Sequence, residues 1–183
     1  CFIHDAKEES VNTILEMAEY KKTGTCKILI VTGCMAQRYK EEITEEIPEV
    51  DAVLGTTSYG DIVKALNEAE AGHVFQEFKD INALPEDSGR RVITTGGHYG
   101  YLKIAEGCDK HCTYCIIPSL RGKFRSVPEE RLLKQAEYMA SQGVRELILV
   151  AQETTVYGTD LYGKKTLHIL LKKLCQIKGI RWI

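Results

Sequence analysis

The chain has 183 residues, 44% of them apolar, 27% charged and 8% aromatic. This ordinary globular composition excludes collagen-like, low-complexity and globally disordered chains, and no apolar run approaches the ~18 residues of a membrane span. Net charge is −2 but unevenly shared, since residues 1–90 carry 9 Lys and Arg against 18 Asp and Glu while residues 91–183 carry 15 against 8; two domains with different partners are expected.

In chain order, residues 5–22 have helical periodicity, with Val11, Ile14, Leu15 and Ala18 on one face, Asp5 and Glu8 in capping-box register and Gly24 as a stop. KILIVTG, 27–33, is a continuous apolar run suited to a buried parallel strand. A helix is predicted over 36–46, with Ala36, Tyr39, Ile43 and Ile47 inward and Pro48 beyond its end, and DAVLG, 51–55, reads as a second strand. Ser58 and Asp61 open a helix whose apolar positions are Ile62, Ala65, Leu66 and Ala69, and 73–78 fits a third strand. Alternating strand and helix describes a small parallel α/β layer domain over 1–78.

Residues 79–96 are rich in turn formers and span the reversal of charge, so they are expected to link two domains. The second domain, 97–183, restarts with HYGYLKIAEG. A helix then begins near Ser126–Glu129, a second capping-box pattern, with Leu132, Leu133, Ala136, Met139 and Ala140 on its apolar face. RELILVAQ is another buried strand, Leu167, Leu170, Leu171 and Leu174 mark a further helix, and GIRWI starts a third strand. Strand, helix, strand, helix, strand is the opening of a parallel β/α barrel.

Seven cysteines stand at 1, 26, 34, 108, 112, 115 and 175. The number is odd, no basic-then-apolar leader precedes them, and three crowd into GCDKHCTYC, so metal ligation is favoured over a disulfide framework. Cys108, Cys112 and Cys115 are spaced CxxxCxxC at the carboxyl end of a predicted strand, where parallel α/β folds keep reactive loops. Three thiolates on one loop can hold three irons of a 4Fe–4S cluster and leave the fourth open to a substrate. A structural zinc site would want a fourth ligand, which His111, adjacent to Cys112, supplies only awkwardly. A non-catalytic iron–sulfur or zinc module is the alternative of another class. Cys26 and Cys175 read as small buried fillers.

CxxxCxxC after the first strand of a βα array resembles the radical S-adenosylmethionine superfamily. The run YLKIAEGCDKHCTYCIIPSLRGKFRS, with CFIHDAKEES and KILIVTGCMAQRY upstream, is similar to its methylthiotransferases. The resemblance implies a radical-SAM partial β/α barrel whose cluster, on Cys108, Cys112 and Cys115, binds and reductively cleaves S-adenosylmethionine. It implies a second 4Fe–4S cluster on three amino-terminal cysteines, the third matched by Cys34. Cys1 abuts Phe2 directly, one position off the family register, so it is either a ligand or the residue beside one. Tyr114 is implied to lie near the adenine or to cover the cluster, and Gln152 and Glu153, in AQETTVYG, to face the methionyl ammonium; a solvated loop is the alternative there. Arg121 and Arg125, in RGKFR, are candidates for carboxylate or phosphate binding or are ordinary surface residues.

Within the family, CIIPSLRG and CFIHDAKEES are most similar to the branch that methylthiolates an aspartate of ribosomal protein S12; the alternative is a tRNA adenosine. The implied partners are S12 or the small ribosomal subunit and a reductant such as flavodoxin or ferredoxin, with no membrane and a cytoplasmic setting. A chain beginning at Cys and stopping in IRWI is expected to be a fragment lacking both ends, and inactive alone.

Overall fold

The structure, a computed structural model, describes residues 3–84 and 91–183. The chain divides into two units, residues 1–87 with 112–121 and residues 88–111 with 122–183. Both are α/β with parallel strands.

In the first unit, β1 (Ile30–Thr32), β2 (Ala52–Leu54) and β3 (Phe75–Glu77) form a parallel sheet in the order 1-2-3. The central β2 is buried at all three positions, which is why its sequence carries no polar residue. One core cluster joins Val31, Val50 and Val53 to Ile14 of α1 (His4–Thr23), Met35 and Ala36 of α2 (Cys34–Arg38), and Ile43 of α3 (Lys40–Glu46). A second joins Ala52 and Leu54 to Ala65 of α4 (Ile62–Glu70). Near the end of α1, Lys21 Nζ donates to Asp51 Oδ2 at 2.6 Å and to the Glu49 carbonyl at 2.8 Å. The same Asp51 oxygen accepts from Leu29 N at 2.7 Å, so one carboxylate fastens helix to sheet.

The helix expected over 36–46 is two helices, broken at Tyr39, whose φ of −122° and ψ of 33° end α2 and begin α3. The Asp5–Glu8 capping box does not form: Ile3 occupies the N-cap, with no side-chain bond. Ile14 and Ala18 carry the burial of α1, and Leu15, expected inward, is exposed. On α4, Ala65 alone is buried, while Ile62 and Leu66 are exposed.

In the second unit, β4 (Tyr99–Lys103) pairs in parallel with β7 (Glu146–Val150) across a connection containing α6 (Glu129–Ser141). Leu132, Ala136, Met139 and Ala140 of α6 are buried, and a Cβ on Gly100 would stand 2.4 Å from Met139 Cε, so the helix lies close over β4. α8 (Leu167–Leu174) buries Leu170 and Leu174. The strand expected at 179–183 is reduced to one bridge, Trp182 to Glu146.

A short antiparallel ladder, β5 (Ala105–Glu106) with β6 (Arg125–Ser126), was not legible in the apolar pattern. It replaces the Ser126–Glu129 capping box. Ser126 Oγ donates to Asp160 Oδ1 at 2.6 Å and accepts from Gly158 N at 2.9 Å, while Pro128 takes the N-cap of α6. Asp160 lies on α7 (Thr159–Tyr162). Among the described residues, no helix is long and apolar enough to cross a membrane.

Candidate metal centre

The β5–β6 ladder pairs Glu106 with Arg125 and so closes the base of a loop over 107–124. Gly107 begins that loop with φ +76°, and a Cβ there would stand 2.1 Å from the Lys123 carbonyl oxygen and 2.6 Å from that of Gly122. Only glycine meets both demands. Its N–H donates to Gln152 Oε1 at 2.9 Å, and Cys108 N donates to the Gly122 carbonyl at 3.1 Å. Asp109 Oδ1 accepts from Phe124 N at 3.0 Å. Three bonds from three successive residues therefore set where Cys108 leaves the sheet.

Glu153 follows β7. Its Oε1 accepts from Thr155 N at 2.9 Å, and its Oε2 pairs with Lys110 Nζ, a residue of the cysteine loop. The Lys110 ammonium, with the Thr155 hydroxyl and amide, lowers the carboxyl pKa from 4.5 to about 2. Glu153 thus already faces an ammonium, that of Lys110. Gln152 is committed through Oε1 to the Gly107 amide, although it is exposed. The AQETTVYG segment is accordingly an ordered part of the second unit. The fully buried Tyr157 donates from its hydroxyl to the Val127 carbonyl at 2.9 Å, and burial pushes that phenol well up.

Cys112 and Cys115 fall in the stretch of chain that belongs with the first unit. Cys112 is exposed and Cys115 half-buried, and Cys115 N donates to the Cys112 carbonyl at 3.0 Å in a tight turn. Tyr114 is 89% exposed, so its ring is open to a planar ligand. α5 (Ile117–Arg121) follows, and Thr56 Oγ1, itself buried, donates to the Leu120 carbonyl at 2.9 Å.

Cys34, half-buried, is the first residue of α2, reached from β1 through Gly33 with φ +98° and ψ −156°. Arg121 Nε donates to Cys34 Sγ at 3.1 Å, a contact spanning 87 residues of sequence. Arg125, the other arginine of RGKFR, donates from Nη1 to the Lys123 carbonyl. Cys1 lies outside the described residues. Cys26 is half-buried and Cys175 exposed, which corrects the expectation that Cys175 fills a core.

The six described cysteines are all free thiols. Among the described residues, no three Cys, His, Asp or Glu side chains are gathered as around a single metal ion. In an iron–sulfur cluster each thiolate binds its own iron, so the ligands stand wider apart than around one tetrahedral zinc. By sequence, three cysteines within eight residues, none of them in a disulfide, are the kind of donor set such a cluster takes.

Comparison with known proteins agrees with this chemistry. Residues 1–55 match the model of uncharacterized protein family UPF0004, and residues 102–182 match that of the radical SAM superfamily. All 183 residues align at 66% identity with ribosomal protein uS12 methylthiotransferase RimO of Lachnoclostridium phytofermentans, covering 42% of that protein. Proteins of the same name from Clostridium botulinum strain Eklund 17B and Clostridioides difficile strain 630 are each 52% identical over all of this chain, which covers 41% of them. The chain thus spans about two-fifths of the length of the curated relatives it matches. The two models thus match in this order, and the chain is similar from its first residue to its last to part of proteins named ribosomal protein uS12 methylthiotransferase.

Proposed function

We propose that this chain belongs to an enzyme that places a methylthio group on an aspartate of ribosomal protein S12. The observation that carries the reading is the CxxxCxxC loop of Cys108, Cys112 and Cys115, beginning at a glycine that its surroundings fix, in a chain similar throughout to uS12 methylthiotransferases. Cys108, Cys112 and Cys115 would hold one 4Fe–4S cluster. Cys34, with Cys1 or a cysteine beside it, would contribute to a second. When bound, the clusters with S-adenosylmethionine supply the radical and the sulfur that side-chain acid–base chemistry cannot provide at an unactivated C–H bond.

The protein's own residues position and select. Gly107, Gln152 and Asp109 fix the start of the cysteine loop. Glu153, held ionised, offers a carboxylate to the cosubstrate's ammonium, which must displace Lys110 from Oε2 to reach it. Tyr114 offers an open aromatic face to the adenine. The setting is cytoplasmic, and a flavodoxin or ferredoxin would deliver the electron.

The test uses the full-length protein, reconstituted anaerobically and given S-adenosylmethionine labelled in its methyl group. Label should appear on S12 and be lost when the acceptor aspartate is replaced. Label on tRNA instead would transfer the assignment to the adenosine-modifying branch, and label on neither, with cosubstrate uncleaved, would favour a non-catalytic metal module.

A further inference from the structure

Residues 161–183 carry six Lys and Arg and no Asp or Glu, in a chain where 26 of 183 residues are acidic. Five of these charges are exposed on one element and the turns that flank it: Lys164 and Lys165 before α8, Lys172 and Lys173 within it, and Lys178 after it. Lys173 pairs with Glu129, whereas Lys164, Lys165, Lys172 and Lys178 have no carboxylate partner among the described residues. In the first unit, by contrast, Lys21, Lys22, Lys64 and Lys79 each stand within 4.0 Å of a carboxylate. We infer that the surface of Lys164, Lys165, Lys172 and Lys178 binds the phosphate backbone of ribosomal RNA, and so brings the enzyme to S12 in the assembled small subunit. The inference rests on the reading of S12 as the acceptor.

The fold holds this charge on ordered backbone. Gly163, with φ +68°, turns the chain out of α7, and the buried Thr166 donates from its amide to the Tyr157 carbonyl at 2.8 Å. The turn that carries Lys164 and Lys165 is therefore fixed at both ends. α8 is anchored by the buried Leu170 and Leu174, while His168 and Lys172, four residues apart and both exposed, share its opposite side. After the helix, Ile177 N donates to the Leu174 carbonyl at 3.1 Å, and Gly179, with φ +106°, follows Lys178.

Charge complementarity selects the occupant. Several ammonium groups on one surface suit a polymer that repeats its negative charge, and neutralising phosphates releases the counterions condensed on them. Lysine serves this as a hydrated point charge on a flexible stem, which follows a backbone without reading bases. An acceptor that is a protein does not by itself call for such a surface. The polyanion that accompanies a ribosomal protein is the RNA that holds it. Contact with that RNA would place the enzyme by charge and leave the choice of side chain to the reaction site.

The experiment measures binding of the full-length, reconstituted protein to small subunits carrying unmodified S12 over a range of salt concentrations, and in parallel the transfer of labelled methyl to isolated S12. Wild type is compared with a triple variant, Lys164→Gln with Lys165→Gln and Lys172→Gln, and with a control carrying Lys27→Gln and Lys134→Gln, exposed lysines outside this surface. The triple variant should bind subunits at least about tenfold more weakly, and its plot of log affinity against log salt should flatten by about 2–3. It should label isolated S12 as wild type does, and the control should match wild type throughout. Free ribosomal RNA should displace wild type from subunits more effectively than tRNA at equal nucleotide concentration. An unchanged affinity and salt slope in the triple variant, equal losses in the control, or equal displacement by tRNA would overturn the proposal. No label on S12, either isolated or in subunits, would strike the reading of the acceptor and the proposal with it, whatever RNA the protein binds.

Discussion

Each unit ends a parallel strand, or its continuation, in the same dipeptide, Gly-Cys, yet the two are held differently. Gly33, before Cys34, has positive φ and open space where a Cβ would stand. Gly107, before Cys108, has positive φ and backbone carbonyls of Lys123 and Gly122 within 2.1 and 2.6 Å of that point. Cys108 is positioned by its backbone, through bonds from Gly107, Cys108 and Phe124. Cys34 is positioned through its sulfur, by Arg121. Two of the three bonds at Cys108 end on side chains, Gln152 Oε1 and Asp109 Oδ1, so what sets Gly107 apart from Gly33 is the backbone packed against it.

That difference can be broken at the glycines. Gly107→Ala combines left-handed strain with a clash that only backbone movement relieves, together roughly 2–5 kcal/mol. It should sharply reduce both the denaturation midpoint and the iron held by the radical cluster. Gly33→Ala meets strain without a clash, and its conformation, essentially reserved to glycine, costs about 1–3 kcal/mol. Denaturation of the two cluster-free variants side by side should therefore rank Gly107→Ala as the more damaging, and equal losses would show that the packing around Gly107 does not matter.

Smaller changes sharpen the comparison. Asp109→Ala removes the acceptor for Phe124 N and should cost about 1 kcal/mol, read by the same denaturation, because the side chain is exposed. Lys110→Met addresses Glu153. With a folded pKa near 2 against an ordinary 4.5, the Glu153 carboxylate contributes stability that is complete above about pH 4.5 and is lost as pH falls toward 2. Without Lys110, Glu153 should titrate closer to 4.5 by carboxyl carbon NMR on the cluster-free protein, and the acid-side loss of stability should shrink. An unmoved titration would assign the low value to Thr155 alone.

Much of this was readable in the sequence because its signals are local. Apolar runs at 27–33, 51–55 and 145–152 located β1, β2 and β7. What was not readable depends on partners far along the chain. Ser126 looked like a helix cap, but Asp160 and Gly158 claim its hydroxyl, so it sits in a strand instead. Leu15 satisfied helical periodicity, yet α1 packs through Ile14 and Ala18 and leaves it exposed. The break at Tyr39 has no glycine or proline to announce it. The family resemblance implied that Gln152 or Glu153 faces an ammonium, and that Glu153 pairs with Lys110 required the loop's path. The Arg121–Cys34 bond joins residues 87 apart and has no signature in composition or spacing.

The central claim is that Cys108, Cys112 and Cys115 hold a cluster with one iron left open to S-adenosylmethionine. It is tested most directly by electron paramagnetic resonance on the reduced, reconstituted full-length protein before and after the cosubstrate is added, with Cys34→Ala used to isolate the radical cluster. A 4Fe–4S signal that changes on addition, and is absent from Cys112→Ala, is the result the account predicts. A signal indifferent to S-adenosylmethionine in the full-length protein would mean that the site is closed by a fourth ligand, and would contradict it.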